Sequence, residues 1–552
     1  MRTRPVAPAH SSLRGRRSFL ALTGAGIQSH GRRFLHRFEV SARRKRLLLS
    51  TATLLAAAPL FSGAQGQPSI DDTPALAFTA VEPAEMFALP GSLSNAWADF
   101  DGDGDPDLAV SAKSGEIRLY RNDGGELHSV GASLGLPTQG DEIRGLSWGD
   151  FDADGDPDLF AGSNVSPIPS RSYLFRNDAG ESFVEMAAEV GVTDSGRFSR
   201  QANWVDVDND GDLDLYTANR AGLNRLYRAE EGGFRREGYG RGTVDPRRTV
   251  GACWFDYDRD GDLDLFLANQ NGDSDALWRN DSGEFEDVAP VLGLDQTLRT
   301  LPEGGVGCAP GDFDNDGDLD LYVGTYGVNL LYVNDGRGGF QEEAAERGLA
   351  EPHSVVGAAW GDYDNDGDLD LFLAAYERVD GVQQPRDQLL RNDGGRFVNV
   401  LPESHPMNAA DHGVEWIDFD GDGDVDLSLT DGYGDVGGHP VFRNGLAAPA
   451  RDRGFAVRPL DPEGQVFVPG AEVEVVDDQG RRGGLRLAST GGGYNAQSMV
   501  PVHVVAPVNS LEVYVEVRFP GDDGGKTTRV GPLARDTLAG RTIDVRRPAE
   551  AE

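Results

Sequence analysis

One decapeptide governs what this chain can become. Asp-x-Asp-x-Asp-Gly-Asp-x-Asp-Leu occurs seven times, starting at Asp99, Asp150, Asp206, Asp256, Asp312, Asp362 and Asp418. The starts lie 51, 56, 50, 56, 50 and 56 residues apart, and every copy keeps its five aspartates, its glycine and its leucine. A period of this size marks a repeat architecture in which each unit buries its apolar face against its neighbours. Two residues before the first aspartate stands Trp97, Trp148, Trp204, Trp254, Trp360 or Trp416, with Pro310 in the fifth copy. An apolar run follows the acids, as at 265–268. Next comes an aromatic stretch ending in Arg-Asn, as at 119–122, 174–177, 277–280 and 441–444, then a Gly-rich turn and a last stretch carrying Phe183, Phe234, Phe285, Phe340 or Phe397. Four short strands per repeat is the content of one propeller blade. The expected fold is all-β: a seven-bladed β-propeller with calcium loops over 68–447, followed by a small β-rich domain over 451–547. The seventh repeat lacks its fourth strand, and residues 76–81 look like one. The N-terminal strand is therefore expected to join blade 7 and close the ring, which removes open sheet edges.

Alternating aspartates in a tight loop gather carboxylates around one point, and the glycine permits the sharp turn. Oxygen ligands without His or Cys select Ca²⁺ over zinc or copper. By analogy with calcium loops, position 1 of each copy supplies a side-chain oxygen. So do position 3 (Asp101, Asp152, Asp208, Asp258, Asp314, Asp364, Asp420), position 5 (Asp103, Asp154, Asp210, Asp260, Asp316, Asp366, Asp422) and position 9 (Asp107, Asp158, Asp214, Asp264, Asp320, Asp370, Asp426). Position 7 (Asp105, Asp156, Asp212, Asp262, Asp318, Asp368, Asp424) supplies its backbone carbonyl. An EF-hand needs a glutamate at position 12, where this chain has Val110, Ala161, Thr217, Leu267, Val323, Leu373 and Leu429. About seven Ca²⁺ sites are expected. The charge agrees: 51 Lys and Arg face 91 Asp and Glu, a net −40. Without the first 64 residues, 39 basic groups face 90 acidic ones, or −51. Such self-repulsion calls for bound cations and excludes a phosphate-backbone binder, so no nucleic-acid partner is expected.

Residues 43–46, Arg-Arg-Lys-Arg, precede a 15-residue apolar run at 47–61 and the small residues Ser62-Gly63-Ala64. That is the order of an export signal, too short for a membrane span. Residues 1–64 are expected to be an address, the part from about Val40 being a complete signal by itself. The mature chain is expected to be exported: secreted, periplasmic or at the cell surface. Cys253 and Cys308 fall in the first strands of blades 4 and 5 but differ in register by one residue. Alternation of strand side chains then argues for two buried thiols rather than a bridge.

On the face away from the acidic loops, the links between blades carry Arg144, Arg197, Arg200, Arg247, Arg248 and Arg299. They suggest a ligand face for an anionic extracellular protein or polysaccharide. His405, Asp411, His412 and His439 belong to the same face around blade 7. Metal binding or acid–base work there is the sharp reading; unrelated loop histidines are the plainer one.

The acidic repeats resemble the FG-GAP/VCBS repeats of integrin α-subunit propellers and of many bacterial exported proteins. Residues 451–547 resemble the ASPIC/UnbV domain through the stretch at 469–475, the run Gly491-Gly492-Gly493-Tyr494-Asn495-Ala496-Gln497-Ser498 and the late strand at 511–519. The whole is similar to bacterial relatives of the cartilage acidic proteins. Two departures are Arg518-Phe519-Pro520-Gly521, where that family has Trp-Pro-x-Gly, and the lack of an EGF-like segment. The expected function is a non-catalytic recognition or adhesion module whose calcium is structural. The alternatives are an exported carbohydrate- or lipid-active enzyme, or an accessory protein in natural-product biosynthesis. Against catalysis stands the roughly 100-residue tail, which holds one histidine, His503, and no cysteine.

Overall fold

The computed structural model describes residues 76–549, apart from short segments at 165–170, 194–197, 239–242, 351–352, 380–381, 410–411, 433–436 and 522–523. The expected export signal, Arg197 and Asp411 lie outside the described residues. Residues 70–552 form one compact unit, and among the described residues no helix is long and apolar enough to cross a membrane.

Among the described residues the repeats form seven successive antiparallel sheets of one design, sheet 2 adding a parallel strand from the C-terminal segment and sheet 6 the extra strand Val382–Pro385. Each acidic decapeptide turns the innermost strand into the second strand, because the apolar run after it pairs back with the residues around the tryptophan. Sheet 1 is Ser92–Ala98, Asp107–Ala112, Ile117–Asn122 and Leu127–Ser129; sheet 4 is Thr249–Phe255, Asp264–Asn269, Ala276–Asp281 and Glu284–Asp287. The other innermost strands are Ile143–Gly149, Ser199–Val205, Gly305–Gly311, Ser354–Gly361 and Val414–Ile417. Each innermost strand packs beside the next, and Val414–Ile417 returns to Ser92–Ala98. The seven sheets thus form a propeller-like ring around a channel. Its seventh sheet takes its outer strand from the N-terminal side: Thr79 pairs with Arg443 and Ala80 with Phe442.

The repeated tryptophans wedge between sheets. Trp204 is fully buried, lies 5.8 Å from Phe234 by ring centroids, and stacks on Phe151 of the preceding sheet at 6.4 Å. Innermost strands approach so closely that some positions admit no Cβ. At Gly145 it would meet the Arg200 carbonyl at 2.1 Å, and at Gly357 the His412 carbonyl at 2.3 Å.

Cys253 and Cys308 form a disulfide, with Cα atoms 6.2 Å apart, which corrects the expectation of two thiols. Parity within one sheet is the wrong rule for residues on consecutive sheets. Those sheets stack face to face, so the side of sheet 4 that looks at sheet 5 and the side that looks back have opposite parity. An offset of one residue is what lets the two sulfurs meet.

The C-terminal segment forms two further sheets. One joins Gly454–Leu460, Val502–Val505 and Thr542–Arg546; the other joins Arg486–Leu487, Glu472–Asp477, Glu512–Phe519 and Lys526–Ala534. Alternation puts Val513, Val515 and Val517 into their shared core with Phe455, Val457, Val473 and Val475. Between these strands the chain leaves the core and enters the channel, where Ala496 and Gln497 pair in parallel with Leu146 and Ser147 of sheet 2.

Candidate metal centres

Each acidic loop is built by its own backbone. The position 6 amide donates to the position 1 carboxylate: Gly104 to Asp99 at 3.0 Å, Gly155 to Asp150 at 2.9 Å, Gly367 to Asp362 at 2.9 Å. The position 5 carboxylate accepts from the position 7 amide, as in Asp105 to Asp103 at 2.9 Å. Position 9 is tied at both oxygens: Asp107 accepts from Phe100 N at 2.9 Å and from Asn122 N at 2.8 Å. Position 7 side chains point away and hold the turn after the third strand, as where Gly124 N donates to Asp105 Oδ2 at 2.7 Å. Their carbonyls remain the groups expected to act.

These bonds turn the remaining oxygens toward one another. Carboxylate oxygens of Asp99, Asp101 and Asp107 lie within 4.8 Å of each other, as do those of Asp150, Asp152 and Asp158. Those of Asp206, Asp208 and Asp210, of Asp256, Asp258 and Asp260, and of Asp312, Asp314 and Asp316 converge in the same way. At position 3, the Oδ1 atoms of Asp101, Asp258, Asp314, Asp364 and Asp420 are buried with no hydrogen-bond donor. Burial, with neighbouring carboxylates adding to it, pushes the position 9 acids up: Asp107 to about 8, Asp158 and Asp320 to about 9. Position 1 follows, with Asp150 and Asp418 at about 7 and Asp362 at about 8. Converging hard oxygens with unfilled lone pairs, in groups too buried to hold their charge unaided, are compatible with calcium. Arginines also approach some loops: Arg228 stands 2.9 Å from Asp208 and 3.2 Å from Asp214 in loop 3, and Arg443 stands 2.6 Å from Asp420 in loop 7.

The asparagine closing each Arg-Asn stretch, read in the sequence only as a strand end, staples neighbouring sheets. Asn177 donates to the Phe100 carbonyl of sheet 1 at 2.7 Å and to Pro157 at 3.2 Å. Asn122, Asn280, Asn334, Asn392 and Asn444 do the same, each onto the loop of the preceding sheet. Sheet 3 has Ala229 at this position. The signal was present: one side chain with two donors, recurring at a fixed distance from the acids.

The C-terminal module seats on this face. Arg518 reaches Asp256 at 2.5 Å and Glu472 at 2.9 Å, Leu485 N donates to Asp312 at 2.9 Å, Arg453 donates to the Asn365 carbonyl at 2.7 Å, and Arg486 to the Gly367 carbonyl at 2.9 Å. The run 490–499 then fills one side of the channel. Gln497 accepts from Trp204 N at 2.7 Å and donates back to Trp204 O at 3.0 Å, Met499 N donates to Trp97 O at 2.8 Å, and Thr490 to Trp254 O at 2.5 Å.

The residues expected on an open ligand face are placed differently. Arg144 is buried and donates to the Tyr494 hydroxyl at 3.1 Å, Arg200 is buried, and His412 is buried with its ring edge-on to Tyr494 at 4.7 Å. His439 is fully buried, within 2.8 Å of the Tyr120 hydroxyl. Arg247 binds Asp287 at 2.9 Å, and Arg299 binds Asp275 at 2.6 Å. Arg248, half exposed, bonds the Asn271 carbonyl at 3.1 Å. The channel, invisible in a one-dimensional pattern, has drawn Arg144, Arg200 and His412 inward around Tyr494.

A family model described as an FG-GAP-like repeat matches residues 99–161, 256–323 and 312–373. Human cartilage acidic protein 1 is 26% identical over 504 residues, covering 82% of this chain and 73% of that protein. The mouse protein is 28% identical over 212 residues, 36% of this chain and 31% of its own length. Among solved structures, BBS1N in complex with ARL6DN matches with 11% identity and a TM-score of 0.45, covering 68% of this chain and 98% of that one. Rhamnogalacturonan lyase YesW matches with 11% identity and a TM-score of 0.39, covering 67% and 76%. At such scores the structural likenesses carry no argument about function.

Proposed function

We propose that this FG-GAP-like repeat protein is an exported, calcium-stabilised, non-catalytic recognition module. The observation that carries the reading is the set of buried position 3 oxygens without donors, recurring at equivalent places in five loops. A buried acceptor without a partner is expensive, and five repetitions of the same deficit point to one missing kind of partner, a hard cation. The side chains of positions 1, 3, 5 and 9 and the carbonyl of position 7 would hold it, and its positive charge would let the buried acids ionise. Its role is then cohesion: each ion fixes the turn between the first two strands of a sheet.

Export accords with the disulfide, which persists in oxidising compartments, and with the charged and apolar segments at 43–61. A non-catalytic role accords with a channel partly occupied by the protein's own chain, and with His412 and His439 held in internal contacts. The partner is an extracellular protein or polysaccharide. The test is an array of glycans and surface proteins probed with the signal-free chain in calcium and in chelator, alongside elemental analysis. Calcium in the purified protein and binding lost on chelation are expected. Absence of divalent metal together with an unchanged melting temperature after chelation would refute the reading.

A further inference from the structure

The channel is filled unevenly. The innermost strands of sheets 1 to 4 are buried at every residue, whereas sheets 5 to 7 leave Pro310, Ala359, Trp360, Glu415 and Trp416 partly exposed. Beside these lies a cavity of 360 Å³, lined on the other side by the glycines 491–493 of the inserted run and by Val500 just after it. That is within the range of small-molecule sites. Gly104 and Gly421, both exposed, border it, and Gly421 lies against Gly540 of the C-terminal module.

The repeat itself identifies what is unfulfilled there. At the tryptophan position, the innermost strand turns main-chain groups toward the channel, and the inserted run engages them. Trp97 N donates to Ser498 Oγ at 3.1 Å, Trp97 O accepts from Met499, Trp204 N and O are both bonded by Gln497, and Trp254 O accepts from Thr490. The equivalent residues of sheets 5, 6 and 7 are Pro310, Trp360 and Trp416, and all three line the cavity instead. Next to Trp416 stands Glu415. Its Oε2 accepts from Ser498 Oγ at 3.3 Å, and among the described residues no basic side chain pairs with it; burial pushes its carboxyl up to about 8. The two basic residues of the lining are engaged elsewhere, Arg486 on the Gly367 carbonyl and His503 at the Gly423 carbonyl. A carboxyl in a cleft without its counter-charge is a mark of a binding site.

We infer that this cavity binds a small organic ammonium compound, its cationic head on Glu415, its apolar body against Ala309, Ala359 and Val500, and its remaining donor and acceptor capacity met by the main chain of Trp360 and Trp416. Above pH 8, where the carboxyl is ionised, an anion would meet Glu415 unfavourably, and a plain hydrocarbon would leave the carboxylate stranded. Glu415 itself belongs to no acidic loop, while Asp105, Asp362 and Asp418 of loops one, six and seven also line the cavity, so the probe is tested with the loops held in calcium.

The test uses the signal-free chain in calcium buffer, with n-butylammonium as probe and n-butanol and butyrate as controls, read by saturation-transfer NMR and thermal shift. Butylammonium is expected to bind saturably and more tightly than either control. Glu415→Gln should weaken it roughly ten- to a hundredfold, the worth of a charge-assisted hydrogen bond. Gly492 lines the cavity and a Cβ there would meet no atom within 4 Å, so Gly492→Leu should abolish binding with the melting temperature unchanged. If Glu415→Gln fails to fold, Gly492→Leu decides alone. Equal binding of butanol, undiminished binding in either variant, or no saturable binding would overturn the inference. Capture of a lysine-rich peptide without binding of butylammonium would also overturn it, as a protein-docking site rather than a small-molecule one.

Discussion

Asn177→Ala and Ala229→Asn should move stability in opposite directions, because sheet 3 is a natural version of the defect the first change creates. The Asn177 amide donates to the Phe100 and Pro157 carbonyls at 2.7 and 3.2 Å, and its Oδ1 accepts from Gly180 N at 3.0 Å. Alanine strands three main-chain groups at about 1–3 kcal/mol for each that is buried, so a loss of about 3–5 kcal/mol is expected. At position 229 an asparagine would reach the Phe151 and Leu213 carbonyls, and Gly232, with φ of 85°, stands where Gly180 does with φ of 73°. Three new bonds at about 0.5–1.5 kcal/mol each, less the entropy of one fixed side chain, give a gain of about 1–3 kcal/mol. For a unit of this size the unfolding entropy makes 1 kcal/mol worth roughly 1 °C. Calorimetry should therefore place the first variant about 3–5 °C below the parent and the second about 1–3 °C above it. Hydrogen exchange at Gly180 should quicken only in the first. A Gly180 amide still protected in Asn177→Ala, or a lower melting temperature in Ala229→Asn, would refute the staple.

Acidity should act oppositely on the chelated and the calcium-loaded protein. Burial raises Asp107, Asp158 and Asp320 to about 8 or 9, above an unfolded value of about 4, so without cations the fold favours their protonated forms. Chelated protein should therefore melt higher at pH 5 than at pH 8, while the increment from added calcium should be larger at pH 8; the reverse order in both would contradict the assignment. Gln497→Ala removes bonds to Ser147, Trp204 and Ser489, at about 2–4 kcal/mol. Its first sign should be faster exchange at the Trp204 amide and earlier proteolysis within 490–499, and an unchanged Trp204 amide would count against the insertion. The 55-residue separation of the disulfide is worth about 4 kcal/mol in chain entropy. Cys253→Ser with Cys308→Ser should lower the melting temperature by about 4 °C, and two titratable thiols in the unreduced parent would contradict the bridge.

The ring was legible because its information is periodic. A tryptophan two residues before each acid, and an apolar run after it, recur at the spacing of the sheets themselves, and even the two-residue closing strand at Thr79–Ala80 could be assigned by what the seventh repeat lacked. What occurs once was not legible. The run Gly491–Ser498 reads as turn chemistry, since its partners Leu146, Ser147 and Trp204 lie some 290 to 350 residues away. Its glycines are required by position: Gly491 and Gly493 have φ of 122° and 54°, and a Cβ on Gly493 would strike the Val414 carbonyl at 2.3 Å. Arg144 and Arg200 fall in links between sheets away from the acidic loops, where an open ligand face is expected, yet the channel holds them against Tyr494.

Seven loops alike in sequence are not alike in surroundings, and the C-terminal module makes the difference. Its bonds go to loops four to seven: Arg518 to Asp256, Leu485 N to Asp312, Arg453 and Arg486 to carbonyls of loop six, His503 to the Gly423 carbonyl of loop seven. Two of these contacts fall on position 1 carboxylates, the same groups that would face an ion. Asp256 and Asp312 each offer two oxygens, so seating the module and holding a cation draw on opposite sides of one carboxylate. On the calcium reading, removing the cation would leave a converging cluster of acids at loop four balanced only by Arg518 at Asp256 and Arg279 near Asp258, with Glu472 competing for the Arg518 guanidinium at 2.9 Å. Cohesion of the ring and seating of the module are therefore one electrostatic problem on this side of the molecule. On the calcium reading, chelation should loosen the module's strands before it opens the first two sheets, whose loops gain nothing from Arg518 or Leu485.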